Sequence, residues 1–139
     1  MLESISANEI AVSGIKAQRL RMNVIANNIA NVQTTRTPEG GPFRRQLAIF
    51  QGKQIGPTLR PERFGVEVKE VVGDQSPFEQ VYDPSHPDAN EEGIVSFPNV
   101  NLAVEMINLV SAQRAYEANI NVIMSSRAMG AKALEIIQQ

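Results

Sequence analysis

No cysteine occurs among the 139 residues, which excludes disulfides and thiolate metal sites and leaves the chain indifferent to the redox state of its compartment. Tryptophan is also missing and aromatic residues make up only 5%, so the core has to be mainly aliphatic and thin. Charge of neither sign prevails. Thirteen basic residues face fifteen acidic ones for a net charge of -2, which removes the broad positive surface of a general nucleic-acid binder. No apolar run is long enough to cross a membrane or insert in one. With Glu3 near the start and no apolar stretch of about 7 to 15 residues after it, no secretory signal peptide is expected. The length suits one domain of ordinary size.

Proline and glycine are unevenly spread. All eight prolines and seven of the nine glycines lie between Thr34 and Val100, and helical periodicity disappears there, so this stretch reads as loops and strands. Short alternating or β-branched runs at Phe43 to Phe50 and Val66 to Val72, with weaker ones at Phe78 to Tyr82 and Ile94 to Phe97, predict a small irregular β insertion. Glu39-Gly40-Gly41-Pro42 is turn chemistry, because no Gly-Lys-Ser/Thr follows to make it a phosphate loop.

The flanks are helical in pattern. Ser6 and Glu9 have capping-box spacing, with Ile5 and Ile10 placed to staple across it, which predicts a helix start there. Ala11, Ile15, Met22, Ile25 and Ile29 then form one apolar stripe, and Ile10, Ala17, Leu20 and Val24 a second. Two stripes point to more than one packing partner. The helix ends in Ala26-Asn27-Asn28-Ile29-Ala30-Asn31-Val32-Gln33-Thr34-Thr35, where three asparagines within a few residues weaken an isolated helix. Asn23, Asn27 and Asn31 fall on one side of it. Their amides suit burial between packed helices, since they donate and accept without carrying charge. Spacing alone favours a frayed, solvated helix end over a packed polar interface.

At the other end, Asn101 can cap a final helix with Glu105 favourably placed in its first turn. Leu102, Leu109, Tyr116, Ile123, Gly130 and Ile137 recur every seven residues, interleaved with Met106, Gln113, Ile120, Arg127 and Leu134. This is the pattern of a coiled-coil seam roughly 54 Å long, which predicts a long packing partner.

Between the flanks, Asp83, His86, Asp88, Glu91 and Glu92 form the only constellation that invites metal or acid-base chemistry. Pro84 and Pro87 bracket the histidine and make a stiff turn. A structural zinc site with no cysteine and one histidine would need three carboxylates, and the spacing lacks the ligand alternation of an EF-hand. The expectation is a rigid contact loop made by Asp83, Pro84, His86, Pro87 and Asp88, with no metal, cofactor, small-molecule substrate or catalytic residue.

The run Ala26-Asn27-Asn28-Ile29-Ala30-Asn31 with Thr34-Thr35 resembles the signature shared by bacterial flagellar rod and hook proteins. Further blocks resemble the proximal-rod members of that family: Gln18 to Met22, Pro42-Phe43-Arg44-Arg45, Val81-Tyr82-Asp83-Pro84-Ser85-His86-Pro87-Asp88-Ala89-Asn90, Pro98-Asn99-Val100-Asn101 and Ser111 to Asn119. The likeness runs from about Ser4 to Leu134, and between Gln46 and Gln80 it carries no specific motif.

The fold expected is mainly α: long N- and C-terminal helices forming an antiparallel coiled-coil hairpin, residues 1–33 and 99–139, around an irregular β and loop insertion, residues 34–98. The expected assembly interface comprises Ile15, Met22, Ile25, Asn27, Asn28, Ile29 and Asn31 on the first helix. On the second it comprises Leu102, Met106, Leu109, Gln113, Tyr116, Ile120, Ile123, Arg127, Leu134 and Ile137. Exposed apolar stripes mark association sites, and contacts that do not close give helical assemblies. The resemblance implies a structural subunit of the basal-body rod that spans the periplasm, polymerising with other rod proteins and copies of itself into a torque-transmitting shaft. It also implies delivery by the flagellar export apparatus. A helical adaptor or export chaperone is the alternative.

Overall fold

The computed structural model describes residues 2–56 and 63–137. In chain order they form α1 (Leu2–Ala30), β1 (Gln46–Gln54), β2 (Phe64–Gly73), β3 (Glu79–Tyr82), β4 (Ile94–Phe97) and α2 (Leu102–Ile137). The strands make two separate two-stranded antiparallel sheets, β1 with β2 and β3 with β4. α1 packs against α2 and also lies against the β1–β2 ribbon.

The expected mainly α, antiparallel coiled-coil hairpin is not what the chain forms. It is a helix–strand–helix mix, two helices plus four strands in two small sheets. Nor is the predicted seam a buried one: Leu102, Met106, Leu134 and Ile137 are 46%, 56%, 52% and 78% exposed. The fully buried side chains of α2 are Glu105, Ala112 and Ser126, small or polar residues also spaced by multiples of seven. Small residues let helices approach closely. At the intervening position of that line, the amide of Asn119 lies where a Cβ on Gly14 of α1 would be. The repeat follows the inward face only in its middle, where Leu109, Tyr116, Ile120 and Ile123 are half-buried, and runs off it at both ends of α2.

The helix ends follow from local chemistry. α1 begins at Leu2, so Ser6 lies inside the helix and the predicted capping position is one turn late. At its exit Asn31 donates its backbone N–H to the carbonyls of both Asn27 and Asn28 at 3.2 Å, and its side-chain amide donates to the Asn27 carbonyl at 2.9 Å. α2 starts where Asn101 Oδ1 accepts the Val104 N–H at 3.1 Å, the predicted cap.

The β1–β2 ribbon carries a bulge. Ile49 pairs with Glu70 and Phe50 with Val68, so Lys69 is the extra residue on β2. α1 meets β2 at a close approach, where Ser13 Oγ accepts the Val66 N–H at 3.0 Å and donates to the Ile10 carbonyl at 2.6 Å. A Cβ on the buried Gly65 would run into Ile55 and Ser13. Gly65→Ala should therefore destabilise the chain by about 1 to 3 kcal/mol, the usual range for overpacking, as read from its urea midpoint.

The core is small, as the composition requires: Ala11, Ala17, Val24, Ile25, Val95, Val100 and Ala112 are its buried apolar residues. The chain exposes 9796 Å², whereas a monomeric globule of its 15.2 kDa would expose roughly 7,100 Å².

Candidate assembly site

The residues that position everything else form a polar knot where α1, β1, the end of β2 and the start of α2 converge. Asn28, 1% exposed, uses its whole carboxamide there. Its Oδ1 accepts the Gln46 N–H at 2.8 Å, and its Nδ2 donates to the Gln46 carbonyl at 2.9 Å and to Glu105 Oε2 at 3.0 Å. One side chain thus satisfies both main-chain groups of the first residue of β1, as a neighbouring strand would. Only this orientation of the amide works, because the reverse would set its N–H against the Gln46 N–H.

Glu105, also 1% exposed, is a carboxylate taken out of water and compensated by donors. Its Oε1 accepts from Arg45 Nε at 2.8 Å and pairs with the other arm of that guanidinium at 2.7 Å. Arg45 also reaches Asp74 Oδ2 at 3.1 Å. Burial works against the charged guanidinium, but its hydrogen bonds to Glu105 and Asp74 outweigh this and the net shift of its pKa is upward. Asn99 closes the knot by accepting the Arg45 N–H at 2.8 Å and donating to the carbonyls of Asp74 and Ser76, both at 3.0 Å.

Asp74 is held ionised first by Ser76, whose Oγ and N–H donate at 2.6 and 2.9 Å, and then by Arg45, so that its pKa falls from 3.8 to about 2. A carboxyl with a depressed folded pKa contributes stability that is complete above its unfolded value and is lost as pH falls through the folded one. Asp74→Asn should therefore be less stable than the parent chain near neutral pH. Its deficit should shrink between pH 3.8 and about 2, which denaturation midpoints across that window will show.

The predicted contact loop is folded back on its own chain. Asp83 Oδ1 accepts from Ser85 Oγ at 2.6 Å and Ser85 N–H at 3.1 Å, contacts that lower its pKa. His86 Nδ1 accepts the Asp88 N–H at 3.0 Å, and its ring meets Phe97 edge-on at 6.1 Å between centroids. The Asp88 carboxylate accepts from Thr35 Oγ1 at 2.8 Å and pairs with Arg36. Thr35, from the run after α1, thus anchors the loop between β3 and β4. Pro84 and Pro87 are exposed. Among the described residues no three His, Asp or Glu side chains converge as a metal site would require.

The remaining predicted interface residues divide by burial. Ile25 and Asn28 are buried; Ile15, Met22, Ile29, Asn31, Leu109, Tyr116, Ile120 and Ile123 are half-buried; Asn27, Gln113 and Arg127 join the four exposed seam residues at the surface. Of the asparagines only Asn28 is an internal linker, while Asn27 donates to Gln46 Oε1 at 3.0 Å at the surface. Sequence reasoning missed Gln46 and Asp74 altogether. Arg45 and Asn99 sat in blocks noted only for resemblance, and Glu105 was read only as a first-turn charge.

Comparison with known proteins bears on what this arrangement serves. The sequence pattern of the family described as Flagella basal body rod protein matches residues 9–36, and that described as Flagellar basal body rod FlgEFG protein C-terminal matches 91–136. These are α1 with its exit, and β4 with α2. The chain is 46% identical to the flagellar basal-body rod protein FlgC of Borreliella burgdorferi, over 96% of this chain and 97% of that protein. It is 40% identical to the Bacillus subtilis protein of the same name, over 91% and 93%, and 38% identical to that of Salmonella typhimurium, over 94% and 95%.

The chain belongs to the FlgC family of flagellar basal-body rod proteins. It is a structural subunit of the rod in the flagellar basal body. The knot then has a plain use in the FlgC fold: it ties two helices and a ribbon together. No helix among the described residues is long and apolar enough to cross a membrane.

Proposed function

We propose that this chain assembles with other rod proteins and with copies of itself into the axial shaft that carries motor torque to the hook, and that the flagellar export apparatus delivers it there. The observation that carries this is the outward face of α2, where Leu102, Met106, Ile107, Val110, Met124 and Met129 are each 46% to 69% exposed along one long helix. These side chains form two exposed apolar groups, 102–110 and 124–129, separated by the exposed polar residues Gln113, Arg114, Glu117 and Asn121, and exposed apolar surface of this kind supports association. In this reading residues 1–33 and 99–139 supply the helical assembly contacts, and residues 34–98 are an insertion tied to them through Asn28–Gln46 and Arg45–Glu105.

Sedimentation and light scattering of the purified chain mixed with other rod proteins test the reading. Open polymers that lengthen with concentration are expected. A closed complex of fixed stoichiometry would instead mark an adaptor or export chaperone.

The loop of Asp83, Pro84, His86, Pro87 and Asp88 contacts a neighbouring subunit in this scheme, presented by its anchor on Thr35 and Arg36. Pro84→Gly with Pro87→Gly should loosen it and shrink swimming halos, because two prolines lower the entropy lost on docking. His86→Gln should swim nearly normally, and equal halos for the two variants would count against a docking loop.

A further inference from the structure

Both the β1–β2 ribbon and the β3–β4 hairpin leave strand edges without main-chain partners among the described residues, and the outer edges of β1 and β3 differ in character. In β1 the odd residues face β2: the Arg45 carbonyl accepts the Asp74 N–H at 2.8 Å and the Ile55 N–H donates to the Arg63 carbonyl at 2.9 Å. The even residues must then point away from β2, as Gln46 does in meeting Asn28. Beyond Gln46 that outer edge is open, for among the described residues no third element bonds to the main chain of Ala48, Phe50 or Gly52. A crevice of about 430 Å³ runs beside it, lined by Arg21, Val24, Ile25, Leu47, Phe50 and Asn108. Arg21 has no carboxylate partner among the described residues.

β3 is complementary. Its Asp83 end faces β4, with the Asp83 N–H donating to the Gly93 carbonyl at 2.9 Å, so Gln80 and Tyr82 point outward. All four residues of β3 are exposed, Tyr82 by 74%, and Glu79 is an acidic residue with no ion-pair partner among the described residues. Its four residues are as many as Ala48 to Gln51 of β1.

We propose that β1 of one copy pairs antiparallel along Ala48 to Gln51 with β3 of a second copy along Glu79 to Tyr82, Ala48 opposite Tyr82. This rests on the reading that copies of the chain assemble in the rod. Main-chain hydrogen bonds supply the affinity, and side chains of the added strand that point into the crevice supply specificity, with the acidic strand drawn to Arg21. Because β1 and β3 are different surfaces, the contact is head-to-tail, and it continues as a filament wherever the rotation between copies does not close a ring. The Asn28 amide ends the ladder at Gln46 and thereby sets its register.

The absence of native cysteine makes the test clean. A full-length chain carrying Ala48→Cys and Tyr82→Cys is produced in cells lacking their own copy, and basal bodies are isolated and oxidised. Paired strands bring opposed Cα atoms within disulfide range, so a ladder of linked chains is expected, while each single variant gives none. Intact rods without the ladder, or linkage by Ala48→Cys alone, would overturn the edge pairing and leave the rod assignment standing. Failure of the unsubstituted chain to enter rods would overturn the assembly reading and the pairing with it. As a second measurement, Ala48→Pro removes an outward N–H that β2 does not use. It should keep the monomer's thermal midpoint and reduce rod assembly at least tenfold; undiminished assembly would also overturn the pairing.

Discussion

Glu105→Ala should lower the unfolding free energy by about 3 to 5 kcal/mol, the range seen when one member of a buried ion pair is removed. The carboxylate is 1% exposed and accepts from Asn28 and from two nitrogens of Arg45. Without it the guanidinium keeps Asp74 alone, and Asn28 loses one of its acceptors. Arg45 retains 20% exposure, so water offsets part of the loss and the lower end of the range is expected. Glu105→Gln keeps the volume and the acceptor toward Asn28 but loses the charge, and should fall between Ala and the parent chain. Against a total stability of about 5 to 15 kcal/mol this is a large share. Asn27→Ala, which removes two exposed contacts, one to Gln46 and one from Asn31, should stay within about 0.5 kcal/mol. Urea denaturation followed by circular dichroism measures all three. A Glu105→Ala chain as stable as Asn27→Ala would show that the knot does not hold the elements together.

The knot also shows where the sequence could be read and where it could not. Local signals were legible: the Asn101 cap, the end of α1 at the asparagine run, and β-branched runs at β2 and β4 all rest on chemistry within a few residues. Asn28, Arg45, Asp74, Asn99 and Glu105 are joined across 25 to 77 positions of chain. No periodicity or turn rule connects them, because each is locally an ordinary polar residue. A buried carboxylate in particular looks in sequence like any solvated first-turn glutamate, since the donors that compensate it come from elsewhere in the fold.

The two helices were legible as helices but not in how they face. On α2 the strongest hydrophobic repeat picked out residues that the isolated chain leaves largely exposed, and the inward line of Glu105, Ala112 and Ser126 has too little apolar content to register. A repeat weighted by hydrophobicity finds where apolar surface lies. It does not say whether the chain's own fold or another chain buries it.

That distinction makes Ile107→Glu the most informative change on the outer surface. Ile107 is 69% exposed and flanked by Met106 and Val110 on the open face of α2. In the monomer a glutamate there is solvated, so the urea midpoint should move by no more than about 0.5 kcal/mol. In an assembled rod the same carboxylate would be enclosed among apolar groups with no donor built to meet it. The penalty of about 3 kcal/mol corresponds to roughly a 100-fold weaker contact. Every copy repeats the contact, so the loss accumulates along the shaft and rods should be missing from basal bodies. Ile107→Met, which keeps the apolar surface at similar volume, should assemble normally and so separates charge from shape. Normal motility in the Ile107→Glu strain would mean that this part of α2 faces solvent in the rod, and would move the assembly surface toward the distal end of the helix, where Leu134, Ile136 and Ile137 are 52%, 76% and 78% exposed.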